Sequence, residues 1–170
     1  QVCGKGAMHM EYDAEGFAYP VIDREKCVNC GLCRAACPMT KDLLYPKVER
    51  VTGGYVNDRE VLEKSTSGGA FTALVKAWCT GSPYAVFGAA QTEKLTTEHR
   101  YITDLSDLDM LRKSKYDQSR IGTAYADCKR LLSEGRKVVF TGTPCQIAGL
   151  RAFLGDKEYP ELLTIDVICE

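Results

Sequence analysis

No stretch of this 170-residue sequence approaches the ~20 apolar residues of a membrane-spanning helix. Neither charge sign is in excess: 22 Lys and Arg face 23 Asp and Glu, so neither nucleic acid nor an anionic membrane surface is indicated as a partner. No signal-peptide pattern, internal repeat or low-complexity tract is visible. The two histidines, His9 and His99, have no ligand-like residue beside them. What remains is a globular chain with 45% hydrophobic residues, expected in the cytoplasm and long enough for one ordinary domain plus a small one.

What the sequence does have is cysteine. There are nine, and five of them (Cys3, Cys27, Cys30, Cys33 and Cys37) fall in the first 37 residues. A secreted disulfide scaffold spreads an even number of cysteines through a small loop-rich chain. An odd number, tightly spaced and followed by an α/β pattern, points instead to metal ligation in a reducing compartment. Cys128 lies on an apolar helical stripe and Cys79 ends a helix beside Trp78, so both read as structural.

The pattern divides the chain in two. In the first 45 or so residues, Met8–Tyr12 and Phe17–Ile22 read as hairpin strands around a turn at 13–16. From about residue 60 to 170, strands alternate with helices, which argues for an α/β domain. Ala70, Phe71, Leu74, Val75 and Trp78 suggest one helical face with Gly81 as its C-cap. Strands are expected at Tyr84–Ala90, His99–Thr103, Lys137–Thr141 and Leu162–Ile168. Helices are expected from Ile121 to near Gly135 and over Gln146–Leu154. The sequence opens on Gln1 rather than Met and stops just after a strand read as buried, so the expectation is a fragment cut at both ends.

Residues 27–38 spell C-x2-C-x2-C-x3-C-P, the spacing of bacterial-ferredoxin iron–sulfur ligands. Three thiolates on a tight loop can cap three irons of a cubane, Gly31 lets the backbone pass close, and Pro38 ends the loop. Zinc sites usually draw their four ligands from two separated pairs, so zinc and disulfide are the weaker readings. In two-cluster ferredoxins the fourth cysteine of a run serves the other cluster. Cys3 then resembles the end of a second run, although Gly4 stands where proline usually follows. In that crossed arrangement Cys3 completes the cluster of Cys27, Cys30 and Cys33. Cys37 serves a second cluster whose other ligands lie outside this sequence. In the uncrossed alternative Cys37 completes its own cluster and Cys3 is a spare thiol.

Three other segments have the character of site loops. Ser65-Thr66-Ser67-Gly68-Gly69 precedes a helix, where free amides bind phosphate; an ordinary N-cap with a flexible turn is the plainer reading. Thr141-Gly142-Thr143-Pro144-Cys145-Gln146 follows a strand and opens a helix. Thr143 suits N-cap, Pro144 suits N1 and Gln146 suits N3, a capping box that sets Cys145 in the first turn. This loop lies at the carboxyl end of a strand, where open α/β sheets bind ligands; a well-capped structural helix is the alternative. Lys113 to Ser119 sets two lysines beside hydroxyls and suits either a phosphate or a solvated loop.

Together these motifs resemble the coenzyme F420 hydrogenase/dehydrogenase beta-subunit family over almost the whole chain. The resemblance rests on the cluster run, Ser-x-Ser-Gly-Gly at 65–69, Ser-Lys-Tyr at 114–116 and Gly-Thr-Pro-Cys-Gln at 142–146. Chlorophyll-pathway hydroxymethyl reductases share the architecture, so the substrate is not fixed. The resemblance implies an α+β ferredoxin-like iron–sulfur module over 1–45, then an α/β flavin-binding domain over 60–170. It implies FAD and [4Fe–4S] clusters, two in the full-length protein and one fully liganded here. Ser65, Ser67, Gly68 and Gly69 would line flavin phosphates. Ser114, Lys115, Tyr116, Thr143, Pro144 and Gln146 would shape the flavin and substrate pocket, with Cys145 as the candidate catalytic residue. Family members commonly continue past the position of Cys169 with His-Gly, whereas Glu170 follows here, which puts Cys169 in doubt as a site residue.

The expected function is an iron–sulfur flavoprotein oxidoreductase. Its partners would be a ferredoxin or companion redox subunit and a small-molecule redox substrate or F420-like coenzyme. Two rival readings are a ferredoxin-type relay subunit without flavin, and a binding module pinned by a structural cluster. If the loops at 65–69 and 142–146 line one crevice, flavin gains; if they face apart, the relay gains.

Overall fold

The computed structural model describes residues 2–40, 48–155 and 157–167. The expected end of the last strand at Ile168, and Cys169, lie outside the described residues.

The N-terminal part is built on an antiparallel hairpin, β1 (Met8–Tyr12) and β2 (Ala18–Ile22), with Met8 opposite Ile22 and Tyr12 opposite Ala18. Asp13 makes the turn: its Oδ1 accepts from the Glu15 and Phe17 amides at 3.0 and 2.8 Å. Beyond β2, a short helix α1 (Leu32–Ala35) is followed by a 3-10 turn at Pro38–Thr40. The hairpin is as the alternation of the sequence predicts.

A second body holds a four-stranded sheet of order β4-β3-β5-β6. Its strands are β3 (Tyr84–Gln91), β4 (Thr97–Ile102), β5 (Lys137–Gly142) and β6 (Leu162–Asp166). β4 runs antiparallel to β3, which a tight turn permits. The β3–β5 and β5–β6 pairs are parallel, with Phe87 opposite Phe140. Parallel neighbours need a crossover; α4 (Ala124–Ser133) precedes β5, and α5 (Pro144–Leu154) joins β5 to β6.

The two central strands, β3 and β5, are buried on both faces, whereas β6, expected to be buried, is only half-buried at the edge. On one face, Phe87, Val138 and Phe140 pack with Cys128 and Leu131 of α4 and Ile147 and Leu150 of α5. The Phe87 and Phe140 rings stack at 5.2 Å between centroids. On the other face, Val86 and Val139 meet Val75 of α3 (Ala70–Trp78), Cys79, Leu108 and Leu111. Each fully buried side chain of this size contributes roughly 1.5–3 kcal/mol, so the two apolar layers hold the sheet. A fifth helix, α2 (Arg59–Glu63), is capped by Asp58 Oδ1 accepting from the Val61 amide at 3.1 Å. Cys79 and Cys128 are buried, as expected of structural thiols, and burial pushes the Cys128 thiol up to about 12.

Several local expectations differ from the structure, among them the start of α4 at Ala124 rather than Ile121 and the end of β6 at Asp166. The buried stripe of α3 is Thr72, Val75 and Cys79, flanked by half-buried Phe71 and Trp78, while Leu74 stays 46% exposed. The stripe is turned because Thr72 goes inside, where its hydroxyl accepts from Arg112 Nε at 3.1 Å. Cys79 rather than Gly81 takes the C-cap of α3. The edge strand β4 begins at Thr97, two residues before the expected start at His99.

Candidate functional site

The cysteine-rich segment is organised by the open end of the hairpin. Beyond the last paired residues, the Asp23 amide donates to Ala7 O at 2.8 Å, extending the hairpin by one step. Cys3 lies four residues before Ala7, and Cys27 lies four residues after Asp23. Each arm is closed by a tight turn. On the first, the Ala7 amide donates to Cys3 Sγ at 3.3 Å. That amide, and then the amide of Lys5, hold the Cys3 thiol below its usual range. On the second, the Cys27 amide donates to Asp23 O at 3.1 Å. Asp23 Oδ1 accepts from the Glu25 amide at 3.0 Å. The Lys26 ammonium, 2.8 Å from Asp23 Oδ2, holds that carboxyl below the usual carboxylate range.

The run then turns sharply. Asn29 and Gly31 both take positive φ, 52° and 74°. Gly31 precedes α1, which carries Cys33, and the Cys37 amide closes back on Arg34 O at 3.2 Å. Thr40 Oγ1 donates to the carbonyls of Arg34 and Cys37 at 2.8 and 3.0 Å, fixing the exit of the loop. Cys3, Cys27, Cys30, Cys33 and Cys37 are all free thiols, and none is fully buried. Among the described residues no three His, Cys, Asp or Glu side chains gather as they would around a single metal ion. Thiolates that cap separate irons of a cubane stand further apart than ligands sharing one ion. An all-thiol donor set, an amide already directed at a ligand sulfur and a loop opened by positive-φ residues fit an iron–sulfur cluster.

The loop at 65–69 lies at the start of α3, whose N-cap is Gly69, with no side chain capping the first turn. Gly69 has φ 78°, and a Cβ there would fall 2.7 Å from Val56 Cγ2. A Cβ on Gly68 would fall 2.7 Å from Gly54 O. Both glycines therefore make room for the chain at 54–56, whose Val56 amide donates to Gly68 O at 2.9 Å. Ser65 Oγ donates to Val61 O at 2.6 Å, while Ser67 is exposed.

The 114–116 segment joins this loop, because the Ser114 amide donates to Thr66 Oγ1 at 3.2 Å. Lys115 is turned away from it: Nζ donates to the carbonyls of Met110 and Arg112, and burial lowers its pKa. Tyr116 is 94% exposed.

The turn at 142–146 has the capping box anticipated from sequence, with Pro144 in the first turn and Gln146 Oε1 accepting from the Thr143 amide at 3.0 Å. Cys145 is exposed, and its Sγ lies 3.1 Å from Thr143 Oγ1. The turn follows β5 at its carboxyl end. The far end of α3 lies at the amino end of β5, where Lys137 Nζ donates to Trp78 O at 3.3 Å. The start of α3 therefore points to the carboxyl end too. The 65–69 and 142–146 loops thus both lie toward the carboxyl end of β5, but their helices come from opposite faces of the sheet. Two surface hollows, of about 550 and 240 Å³, draw on neither loop.

One site-adjacent residue was missed by sequence reasoning. His99 is only 7% exposed and lies beneath the 142–146 turn. Its Nε2 is 2.9 Å from Thr141 O and its Nδ1 is 2.8 Å from Ser119 Oγ. A carbonyl only accepts, so Nε2 carries the hydrogen and Nδ1 accepts from the Ser119 hydroxyl. Ser119 Oγ in turn accepts from Gln146 Nε2 at 2.8 Å. Burial lowers the pKa of His99, which keeps it neutral in this arrangement. The signal was the alternation of Thr97 and His99 along β4, both buried. His9, by contrast, is exposed and pairs with Glu11 at 2.8 Å.

Comparison with known proteins bears on the cysteine segment. Residues 18–39, which include Cys27, Cys30, Cys33 and Cys37, match the family model of a 4Fe-4S binding domain. This supports an iron–sulfur cluster and a role in electron transfer. No curated protein matches. Among solved structures, a chain from the F420-reducing [NiFe] hydrogenase complex of Methanosarcina barkeri is 28% identical. The likeness covers 56% of this chain and 35% of that one, at a TM-score of 0.45. It is too loose to support a fold or a function, and neither is drawn from it. Among the described residues, no helix is long and apolar enough to cross a membrane.

Proposed function

We propose that the chain is part of an iron–sulfur flavoprotein oxidoreductase of the coenzyme F420 hydrogenase/dehydrogenase beta-subunit type. The observation that carries the iron–sulfur half is the paired placement of Cys3 and Cys27, each four residues beyond the last bonded rung of one hairpin. That placement favours the crossed arrangement: Cys3, Cys27, Cys30 and Cys33 hold one [4Fe–4S] cluster, and Cys37 supplies a ligand to a second. The Ala7 amide favours the thiolate of Cys3 and, with a cluster bound there, would tune its potential by hydrogen bonding to a ligand sulfur.

The flavin half rests on the 65–69, 114–116 and 142–146 motifs and on the position of the first and last toward the carboxyl end of β5. The uncapped first turn of α3 offers amides to the phosphates of FAD, with Ser67 beside them and Gly68 and Gly69 shaping the turn. Ser114, joined to Thr66, continues that wall with exposed Tyr116, while Lys115 Nζ is held on the Met110 and Arg112 carbonyls and supports the segment from behind. Thr143, Pro144 and Gln146 set the opposite wall and hold Cys145 exposed toward a small-molecule redox substrate. When bound, flavin supplies the exchange between a two-electron hydride and the single electrons that clusters carry. A ferredoxin or companion redox subunit is the electron partner.

A second reading, a relay subunit without flavin, is favoured by Gly68 and Gly69. Packing against 54–56 is sufficient reason for both, without a ligand. Iron, acid-labile sulfide and flavin per chain after anaerobic purification separate the two. About four irons with bound FAD support the flavoprotein. Iron without flavin supports the relay and removes the loop residues' proposed roles. A chain without iron contradicts both.

A further inference from the structure

Residues 118–120 touch both halves of the molecule. On one side, the Ala18 amide of β2 donates to Gln118 Oε1 at 3.2 Å, and the Arg120 guanidinium lies 5.4 Å from the centroid of the Tyr12 ring of β1. On the other side, Ser119 Oγ lies between His99 Nδ1 and Gln146 Nε2, each at 2.8 Å. The backbone of the segment is itself fixed. It adds a parallel rung to the edge of β4, with His99 N donating to Arg120 O at 2.8 Å and Arg120 N donating to Thr97 O at 2.9 Å. Asp117 anchors its start by accepting from Thr97 Oγ1 at 3.2 Å.

Alternation explains this two-sidedness. In an extended segment successive side chains point to opposite sides, so Gln118 and Arg120 face the hairpin while Ser119 faces the sheet. Among the described residues the Arg120 guanidinium has no carboxylate partner, so its recorded contact is the Tyr12 ring. The hairpin it meets is the element whose open end carries Cys3 and Cys27. The turn held by Ser119 is the one that carries Cys145.

We propose that Gln118, Ser119 and Arg120 form a positioning strap that sets the iron–sulfur hairpin relative to the 142–146 turn. The strap rests on the reading of those two ends as redox sites, but its geometry does not. Removing either hairpin contact frees the hairpin to shift against the sheet. Removing Ser119 frees the turn instead.

The test combines amide exchange with a distance measurement on the full chain. In Arg120→Ala, exchange at the Ala18 amide is expected to be about two- to fivefold faster, the range of an exposed cation–π contact. Gln118→Ala removes the acceptor itself and adds to that loss. For the distance, a nitroxide on Cys145 in a Cys37→Ser, Cys169→Ser background, which keeps the four ligands of the crossed cluster, is read against the dithionite-reduced cluster by pulsed dipolar resonance. Arg120→Ala and Tyr12→Ala are expected to broaden the distribution equally, their combination to add nothing, and Arg120→Lys to restore it. Unchanged exchange at Ala18, or a lowered melting temperature with an unchanged distribution, would overturn the strap. A sample with no cluster signal counts against the iron–sulfur reading, and amide exchange still decides the strap.

Discussion

Replacing His99 with Phe tests the polar network beneath the 142–146 turn. The substitution keeps a ring against Phe140, whose centroid lies 5.4 Å from that of His99. It removes the Nε2–H donor to Thr141 O and the Nδ1 acceptor for Ser119. A buried group stripped of its partner costs about 1–3 kcal/mol, which in a chain of this size lowers the melting temperature by roughly 3–10 °C. The pH dependence is more specific. Burial lowers the pKa of His99, so the unfolded chain takes up the proton first as pH falls. The contribution is fully present above the unfolded value of about 6.5 and is lost as pH falls from there toward the lowered native value. Its slope approaches at most about 1.4 kcal/mol per pH unit. Circular dichroism melts at pH 8, 7, 6 and 5 should show parent and variant converging toward acid. Ser119→Ala shares the network, so its cost should add less than fully to that of His99→Phe. A constant gap between parent and His99→Phe at every pH would refute the assignment of His99 as a buried neutral donor.

Other outcomes follow from the same geometry. Gly69→Ala forces φ 78° on an alanine and drives its Cβ to 2.7 Å from Val56 Cγ2. A loss of about 1–3 kcal/mol is expected in denaturant unfolding, and a neutral result would contradict the packing of 54–56 on the loop. Iodoacetamide at pH 8 should alkylate exposed Cys145 well before Cys79 or Cys128, read by peptide mass spectrometry. Cys128, with its thiol pushed up to about 12, should react only after unfolding. Early modification of Cys128 would mean that α4 does not pack as described.

What the sequence made legible was local. The hairpin could be read because strand alternation and the Asp13 turn are short-range signals. The α5 start could be read because Thr143, Pro144 and Gln146 form a capping box within four residues. The cysteine run is legible for the same reason, since ligand spacing is written directly in the chain. The orientation of α3 was not, because Thr72 goes inside to meet Arg112, 40 residues away. His99 was missed because its partners Ser119 and Thr141 lie 20 and 42 residues on. The double duty of 118–120 is also invisible locally, since Gln118 meets Ala18 across 100 residues. Gly68 and Gly69 mislead in the other direction. A glycine pair before a helix suggests a phosphate cradle, yet the structure gives each a packing neighbour that already requires it: the Gly54 carbonyl at Gly68 and the Val56 side chain at Gly69.

The most direct test of the central claim is iron per chain in two cysteine variants purified anaerobically beside the parent. Cys30→Ala removes a candidate ligand on the loop beyond the hairpin, and Cys128→Ala removes a buried thiol of the core. The account predicts that Cys30→Ala loses the iron of a whole cluster while Cys128→Ala keeps the parent's content. Equal iron in the two variants would contradict it.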